Sequence, residues 1–132
     1  MEKIIQYDEK VFGIRREEFL KKWLSNPLAF KVVSMRNNQI TGLGVIRKAV
    51  DGWRIGPLFA DNSIIANSIL FSLSKKIPRR EEFYIDVPEY NKFSEMLYNA
   101  YDCFHSVTMY SGSLPHDIQL QKIFGMTSLE LG

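Results

Sequence analysis

Two short turn signals constrain the first half of this chain more than any other feature. Asn37-Asn38 and Asp51-Gly52 are residue pairs that tolerate positive φ, and they divide the sequence between Phe30 and Phe59 into three segments of strand length. Strands joined by two-residue turns pair with each other in antiparallel fashion. The sequence therefore predicts an antiparallel meander, with strands over Phe30–Arg36, Gln39–Val50 and Trp53–Phe59.

Glycine and proline interrupt two of these predicted strands. Gly42 and Gly44 lie inside the second strand, where glycine commonly marks a bulge. Pro57 lies near the end of the third strand and has no N–H to donate, so pairing must fail there or face a sheet edge. Gly56-Pro57-Leu58 is consistent with an ordinary strand end or with a place where the sheet opens.

Helices and further strands follow the meander. Apolar residues at helical spacing predict helices over Arg15–Leu24, Ser63–Ile77 and Lys92–Tyr101. Alternating and extended segments predict strands over Glu82–Val87, His105–Tyr110 and Ile123–Leu131. A strand that follows a helix can pair in parallel through a right-handed crossover. We therefore predict an α/β fold built on a mixed sheet, as one domain over residues 1–132.

Composition excludes several classes of function. The net charge of +2 and the scattered basic pairs do not favour nucleic acid as a partner. Cys103 is the one cysteine, so no internal disulfide can form and a reducing compartment is favoured. No run of apolar residues approaches the ~20 that a membrane helix needs, and the first residues do not resemble a signal peptide. We therefore expect a cytoplasmic protein that binds neither nucleic acid nor membrane.

The order of elements from the second helix onward resembles that of the GNAT N-acetyltransferases. Asn91, Ser94, Leu97 and Tyr98 are similar to the Asn-x-x-Ala-x-x-Leu-Tyr segment of that family. The resemblance implies a three-layer fold with a splayed central sheet. It also implies acetyl-CoA as the acyl donor and an amine, on a small molecule or a protein, as the acceptor.

The same resemblance implies roles for individual residues. Tyr98 would protonate the departing thiolate. The cofactor would lie along Leu58, Ala60, Asn62, Ala66 and Asn91. From the residues alone, Tyr98 is equally consistent with the boundary of an amphipathic helix, and Asn91 with a helix N-cap. The candidates for a general base are Asp86, His105, His116 and Glu130, and no pair of them has metal-ligand spacing, so no metal is expected.

A narrower resemblance extends over nearly the whole chain. It is similar to the C-terminal domain of two-part bacterial GNAT proteins, in which a fuller acetyltransferase domain precedes it. The matching segments are Tyr7-Asp8, Val11-Phe12-Gly13, Ile55-Gly56-Pro57-Leu58, Asp86-Val87-Pro88 and Leu129-Glu130-Leu131-Gly132.

One segment departs from the GNAT pattern. The pyrophosphate loop of the family reads Arg/Gln-x-x-Gly-x-Gly/Ala, and of the residues over 61–66 only Ala66 matches. Asp61 places a negative charge where a phosphate would bind, which is unfavourable unless a cation intervenes. Two hypotheses follow: an acetyl-CoA-dependent N-acetyltransferase, or a non-catalytic GNAT-like module for binding or dimerisation. Whether the chain forms a homodimer stays open at this point.

Overall fold

The computed structural model describes residues 1–97, 105–106 and 117–128. Its helices are α1 (Glu2–Phe12), α2 (Glu17–Leu24) and α3 (Ser63–Ser74). Its strands are β1 (Ala29–Arg36), β2 (Gln39–Lys48), β3 (Trp53–Ala60), β4 (Phe83–Ile85) and β5 (Ile123–Gly125). Short 3-10 helices cover Lys92–Met96 and Leu120–Lys122. The predicted strand over His105–Tyr110 lies mostly outside the described residues.

The five strands form one mixed sheet. Strands β1, β2 and β3 are the predicted antiparallel meander, and β4 lies beside β3 in parallel. Asn37, Asn38 and Gly52 have φ values of 50, 62 and 72°, so both turns use the positive φ that their residues tolerate. Strand β5 pairs antiparallel with β3. The predicted α/β fold is confirmed.

Helices cover both faces of this sheet. Helix α3 packs its buried residues Ile69, Leu70 and Leu73 against Ile46 and Ile55 on one face. On the other face, helices α1 and α2 enclose residues that include Ile5, Leu20, Leu24 and Val45. The molecule therefore has three layers, with the sheet in the middle.

Two bulges lie where glycine and proline indicated irregular pairing. Ser34 faces Gly42 and Met35 faces Ile40, so Thr41 is an extra residue of β2 beside Gly42. The second bulge is on β3, where Gly56 and Pro57 together face one residue of β2. Gly42 and Gly44 also have a packing role, because a Cβ at Gly42 would lie 2.6 Å from Cδ1 of Ile69. Helix α3 can therefore approach the sheet closely.

Several elements differ from the sequence prediction. Helix α1 was not predicted, because its buried face contains the ionisable residue Asp8 beside Ile5 and Val11, which breaks the apolar pattern. Helix α3 ends at Ser74 rather than Ile77. The α-helix predicted over Lys92–Tyr101 begins as a 3-10 helix over Lys92–Met96, and its last four residues lie outside the described part of the chain.

Candidate functional site

Two strands of opposite direction, β4 and β5, pair with the edge of β3 that faces away from β2. Strand β4 pairs with β3 only over Trp53, Arg54 and Ile55. Beyond the Gly56-Pro57 bulge, β5 takes over the same edge, with Gly125 opposite Leu58 and Ile123 opposite Phe59. The parallel strands therefore stop pairing at Ile55, and the chain's own β5 segment fills the edge beyond.

The residues after β5 continue into the space beside Gly56. The backbone N–H of Met126 donates to the carbonyl of Asp86 at 2.8 Å, which joins this segment to the end of β4. A Cβ on Gly56 would lie 2.6 Å from the carbonyl oxygen of Thr127. Glycine at this position is therefore what allows the segment over 126–127 to pass so close to β3.

A buried ion pair next to α1 contacts the same segment, residues 126–127, through Thr127. Asp8 of α1 is fully buried, and its carboxylate accepts from Nε and Nη2 of Arg16 at 2.8 and 2.9 Å. Nη2 of Arg16 also donates to Oγ1 of Thr127 at 3.0 Å, and its guanidinium lies 3.8 Å over the ring of Phe12. The pair thus links α1 to the chain just beyond β5.

The N-terminus of α3 lies at the end of β3 and begins with a side-chain cap. Oδ1 of Asn62 accepts a hydrogen bond from the backbone N–H of Ile65 at 2.9 Å. This arrangement follows from the sequence, since asparagine is among the best N-cap residues. The first N–H groups of a helix have no partner within it, and the helix dipole is positive there, so this end favours an anion.

Asp61, the residue before this cap, is paired with a cation from one element and accepts a hydrogen bond from another. Nζ of Lys122 lies 2.9 Å from Oδ1 of Asp61. The hydroxyl of Tyr7 donates to the same oxygen at 3.3 Å and is 3.1 Å from the carbonyl of Thr41. Burial, followed by the charge of Asp61, raises the pKa of the Tyr7 phenol, so the hydroxyl keeps its proton. A cation therefore does accompany the acidic residue at this helix terminus.

Asn91 uses both ends of its amide within the protein. Nδ2 donates to the carbonyl of Ile123 at 2.8 Å, and Oδ1 accepts from the backbone N–H of Phe93 at 3.0 Å. The second bond is the capping contact that the residue type predicts, and the first secures β5. These contacts describe the structural role of Asn91, and its contact with a cofactor stays a prediction.

The other predicted site residues fall at different places. Leu58, Ala60 and Ala66 are fully buried, the first two in β3 and the third in the first turn of α3. With Asn62 they belong to the segment that runs from the end of β3 into the first turn of α3. Tyr98 lies outside the described residues, so its role as an acid stays a prediction.

Lys122, Tyr7 and the Asp8–Arg16 pair were missed as members of this site. Tyr7 and Asp8 belong to the segments that resemble the family, but the resemblance implies no role for either residue. Lys122 belongs to a segment whose pairing with Asp61 spans half the chain, so no local pattern indicates it. In the described ranges, no group of His, Cys, Asp or Glu has the arrangement of a metal site, and no helix is long and apolar enough to cross a membrane.

Comparison with known proteins gives two matches of different kinds. A family model described as an acetyltransferase (GNAT) domain matches residues 4–125. Holothin acyltransferase of Pseudoalteromonas sp. (strain SANK 73390) is 29% identical over 137 residues, which cover all of this chain and 46% of the relative. The chain therefore spans less than half the length of that relative. No solved structure matches the chain.

Proposed function

The chain belongs to the GNAT acetyltransferase family, and from that premise we propose that it transfers an acyl group from acyl-CoA to an amine, with acetyl-CoA as the donor. The observation that carries the proposal is the family match over residues 4–125. The similarity to holothin acyltransferase favours the same chemistry. The acceptor is an amine of a small molecule or a protein, and the cytoplasm is the proposed setting because the single cysteine favours a reducing compartment.

The N-terminus of α3 is the proposed site for the pyrophosphate of the donor. Free N–H groups and the positive end of the dipole suit a phosphate there even without the usual glycines. The charge of Asp61 would oppose such binding, but Lys122 lies 2.9 Å from its carboxylate. Lys122 can therefore serve as the cation that the degenerate loop lacks.

The chemistry of acyl transfer requires an acid for the departing thiolate. A tyrosine, with an ordinary pKa near ~10, is matched to an alkyl thiol in this role. We assign it to Tyr98 on the family resemblance. The acceptor amine must lose a proton before it attacks the thioester carbonyl, and the base that takes this proton is not assigned.

A second candidate function is a non-catalytic GNAT-like module. The observation that favours it is the position of β5, which occupies the β3 edge at Leu58 and Phe59. A pantetheine arm that takes backbone hydrogen bonds from this edge would have to displace that strand. Ile64, a residue in the first turn of α3 that is 79% exposed, adds an obstacle at the phosphate site.

Titration calorimetry with acetyl-CoA separates the two candidates. The first predicts saturable binding that weakens roughly tenfold or more in Lys122→Gln, because a charge-assisted contact to phosphate is lost. Asp61→Asn should tighten binding, because Lys122 is then free for the phosphate while the amide still accepts from Tyr7. Lys75→Gln, a change of an exposed lysine just after α3, is the matched control. Absence of binding by every form would support the non-catalytic module.

A further inference from the structure

Two adjacent arginines with an aromatic ring on either side form a row across the face of the sheet that α1 and α2 cover. Arg47 of β2 lies directly opposite Arg54 of β3, and Arg54 lies opposite Tyr84 of β4. Residues that face each other across a ladder project from the same side of a sheet. The guanidinium of Arg47 lies 5.1 Å from the ring centre of Trp23, and that of Arg54 lies 5.1 Å from the ring centre of Tyr84.

The two arginines face each other, and no counter-charge from the described part of the chain accompanies them. Like charges directly opposite on adjacent strands repel and destabilise a sheet. No ion pair joins either guanidinium to a carboxylate of residues 1–97, 105–106 or 117–128. Each guanidinium lies against its aromatic neighbour, which covers one face and leaves the N–H edge available to a ligand. An anion bound between them would remove this repulsion.

An open groove adjoins this row. It has a volume of about 170 Å³ and is formed by α2 and the ends of β1 and β2. Phe19 and Trp23, whose ring centres are 5.3 Å apart, form its aromatic wall. Ala29 and Val45 supply its apolar floor, and Arg47 its cationic rim. Its volume is similar to that of cavities of roughly 150 Å³ that bind benzene.

We propose that this groove binds a small organic carboxylate with a flat, apolar body. The carboxylate accepts hydrogen bonds from the edge of Arg47, next to Arg54, and the flat body lies against Phe19 and Trp23. Lys22, which also lines the groove, adds a third cation near the ligand. The ligand class follows from the aromatic wall and from the two cations Lys22 and Arg47 in a lining that contains no acidic residue among those described. Arg54, opposite Arg47 on β3, adds a further positive charge beside the groove. The proposal does not depend on acyl transfer.

Two tryptophans make the site directly observable. Trp23 and Trp53 are the only tryptophans of the chain, so a two-dimensional ¹H–¹⁵N spectrum contains two indole signals. Trp23 lines the groove and donates to the carbonyl of Gly56 at 3.2 Å. Trp53 is buried and donates to Glu81 at 2.7 Å. Only the Trp23 signal should shift when the groove is filled, and Trp53 is the internal control.

The experiment is a titration of the whole chain with benzoate, with benzamide as the uncharged analogue. We expect a saturable shift of the Trp23 indole signal with benzoate, and affinity for benzamide at least about tenfold lower. Arg47→Gln should reduce benzoate affinity by a similar factor. Arg36→Gln, an exposed arginine at the far end of β1, should leave the affinity unchanged.

Three results would overturn the proposal. The first is the absence of a saturable shift with benzoate in the folded parent chain. The second is equal affinity for benzoate and benzamide, which would make the groove simply apolar. The third is an equal loss in Arg47→Gln and Arg36→Gln, which would indicate a diffuse charge effect. A well-dispersed spectrum of each variant shows that it is folded, so none of these outcomes reduces to a failure to fold.

Discussion

The buried pair of Asp8 and Arg16 allows a sharp test of what stabilises this fold. Asp8→Asn preserves the shape of the side chain and removes its charge, which leaves the guanidinium of Arg16 facing a neutral amide. The side chains of Asp8 and Arg16 are 0% and 11% exposed. Removal of one partner from a buried pair costs about 3–5 kcal/mol. Arg16 keeps Thr127 and the ring of Phe12, so we expect the lower end, about 3 kcal/mol.

Urea denaturation at neutral pH measures this loss. A decrease of about 3 kcal/mol in the free energy of unfolding lowers the melting temperature by roughly 10 °C for a domain of this size. The total free energy of unfolding of a native domain is about 5–15 kcal/mol. The variant should therefore still fold, with an unchanged denaturant slope. Replacement of both partners, Asp8→Leu with Arg16→Met, should recover most of the loss, since a buried pair is often no better than apolar residues of similar volume.

Arg15 is the control residue that tests whether the burial of an ion pair or the number of its contacts determines its contribution to stability. It pairs with three carboxylates, those of Glu2, Glu9 and Glu17, but its side chain is 41% exposed. Exposed pairs contribute little because solvent screens them. Arg15→Gln should therefore lower the urea midpoint far less than Asp8→Asn. An equal or larger effect of Arg15→Gln, or a loss below about 1 kcal/mol for Asp8→Asn, would refute the reasoning from burial.

Three further predictions concern packing, pH and catalysis. Gly44→Ala should lower stability by about 1–3 kcal/mol in thermal unfolding, because the added Cβ overlaps Ile69 of α3. Folding raises the pKa of Tyr7, so the stabilisation from its protonated hydroxyl is complete below the ordinary pKa of about 10. This stabilisation is lost progressively as pH rises above that ordinary pKa. The difference in urea midpoint between the parent and Tyr7→Phe should therefore shrink from pH 8 to pH 11, and a constant difference would contradict this assignment. Tyr98→Phe should lower kcat by roughly 10²–10⁴-fold and leave acetyl-CoA affinity unchanged, whereas full activity would show that another group is the acid.

The parts of the fold with local signals were predictable. Asn37-Asn38 and Asp51-Gly52 determine the meander because positive φ is a property of those residue types. The strand–helix–strand order gave the parallel pairing of β3 with β4. Helix α1 has one signal in the sequence, which is the glycine directly after its last residue. Gly13 is the C-cap and has the positive φ, 82°, that glycine favours at this position. The apolar pattern of α1 alone did not reveal the helix because Asp8 is on the buried face.

The candidate site was less predictable because its contacts are not local. Asn62 was expected at a helix start, and it caps α3. By contrast, the pairing of β5 with Leu58 and the contact of Lys122 with Asp61 join segments far apart in sequence. Spacing along a chain carries no information about such pairs. The sequence therefore indicates the negative charge at Asp61 but not the cation, Lys122, that accompanies it.

The way in which β5 completes the sheet has a consequence for biosynthesis. The β3 edge at Leu58 and Phe59 can be closed only after Ile123–Gly125 has left the ribosome. Until then, that edge is an unpaired template for other strands. Contacts of such long sequence separation also form slowly, because the loop between them must close first. Aggregation before β5 has paired is therefore expected to begin at this edge of β3.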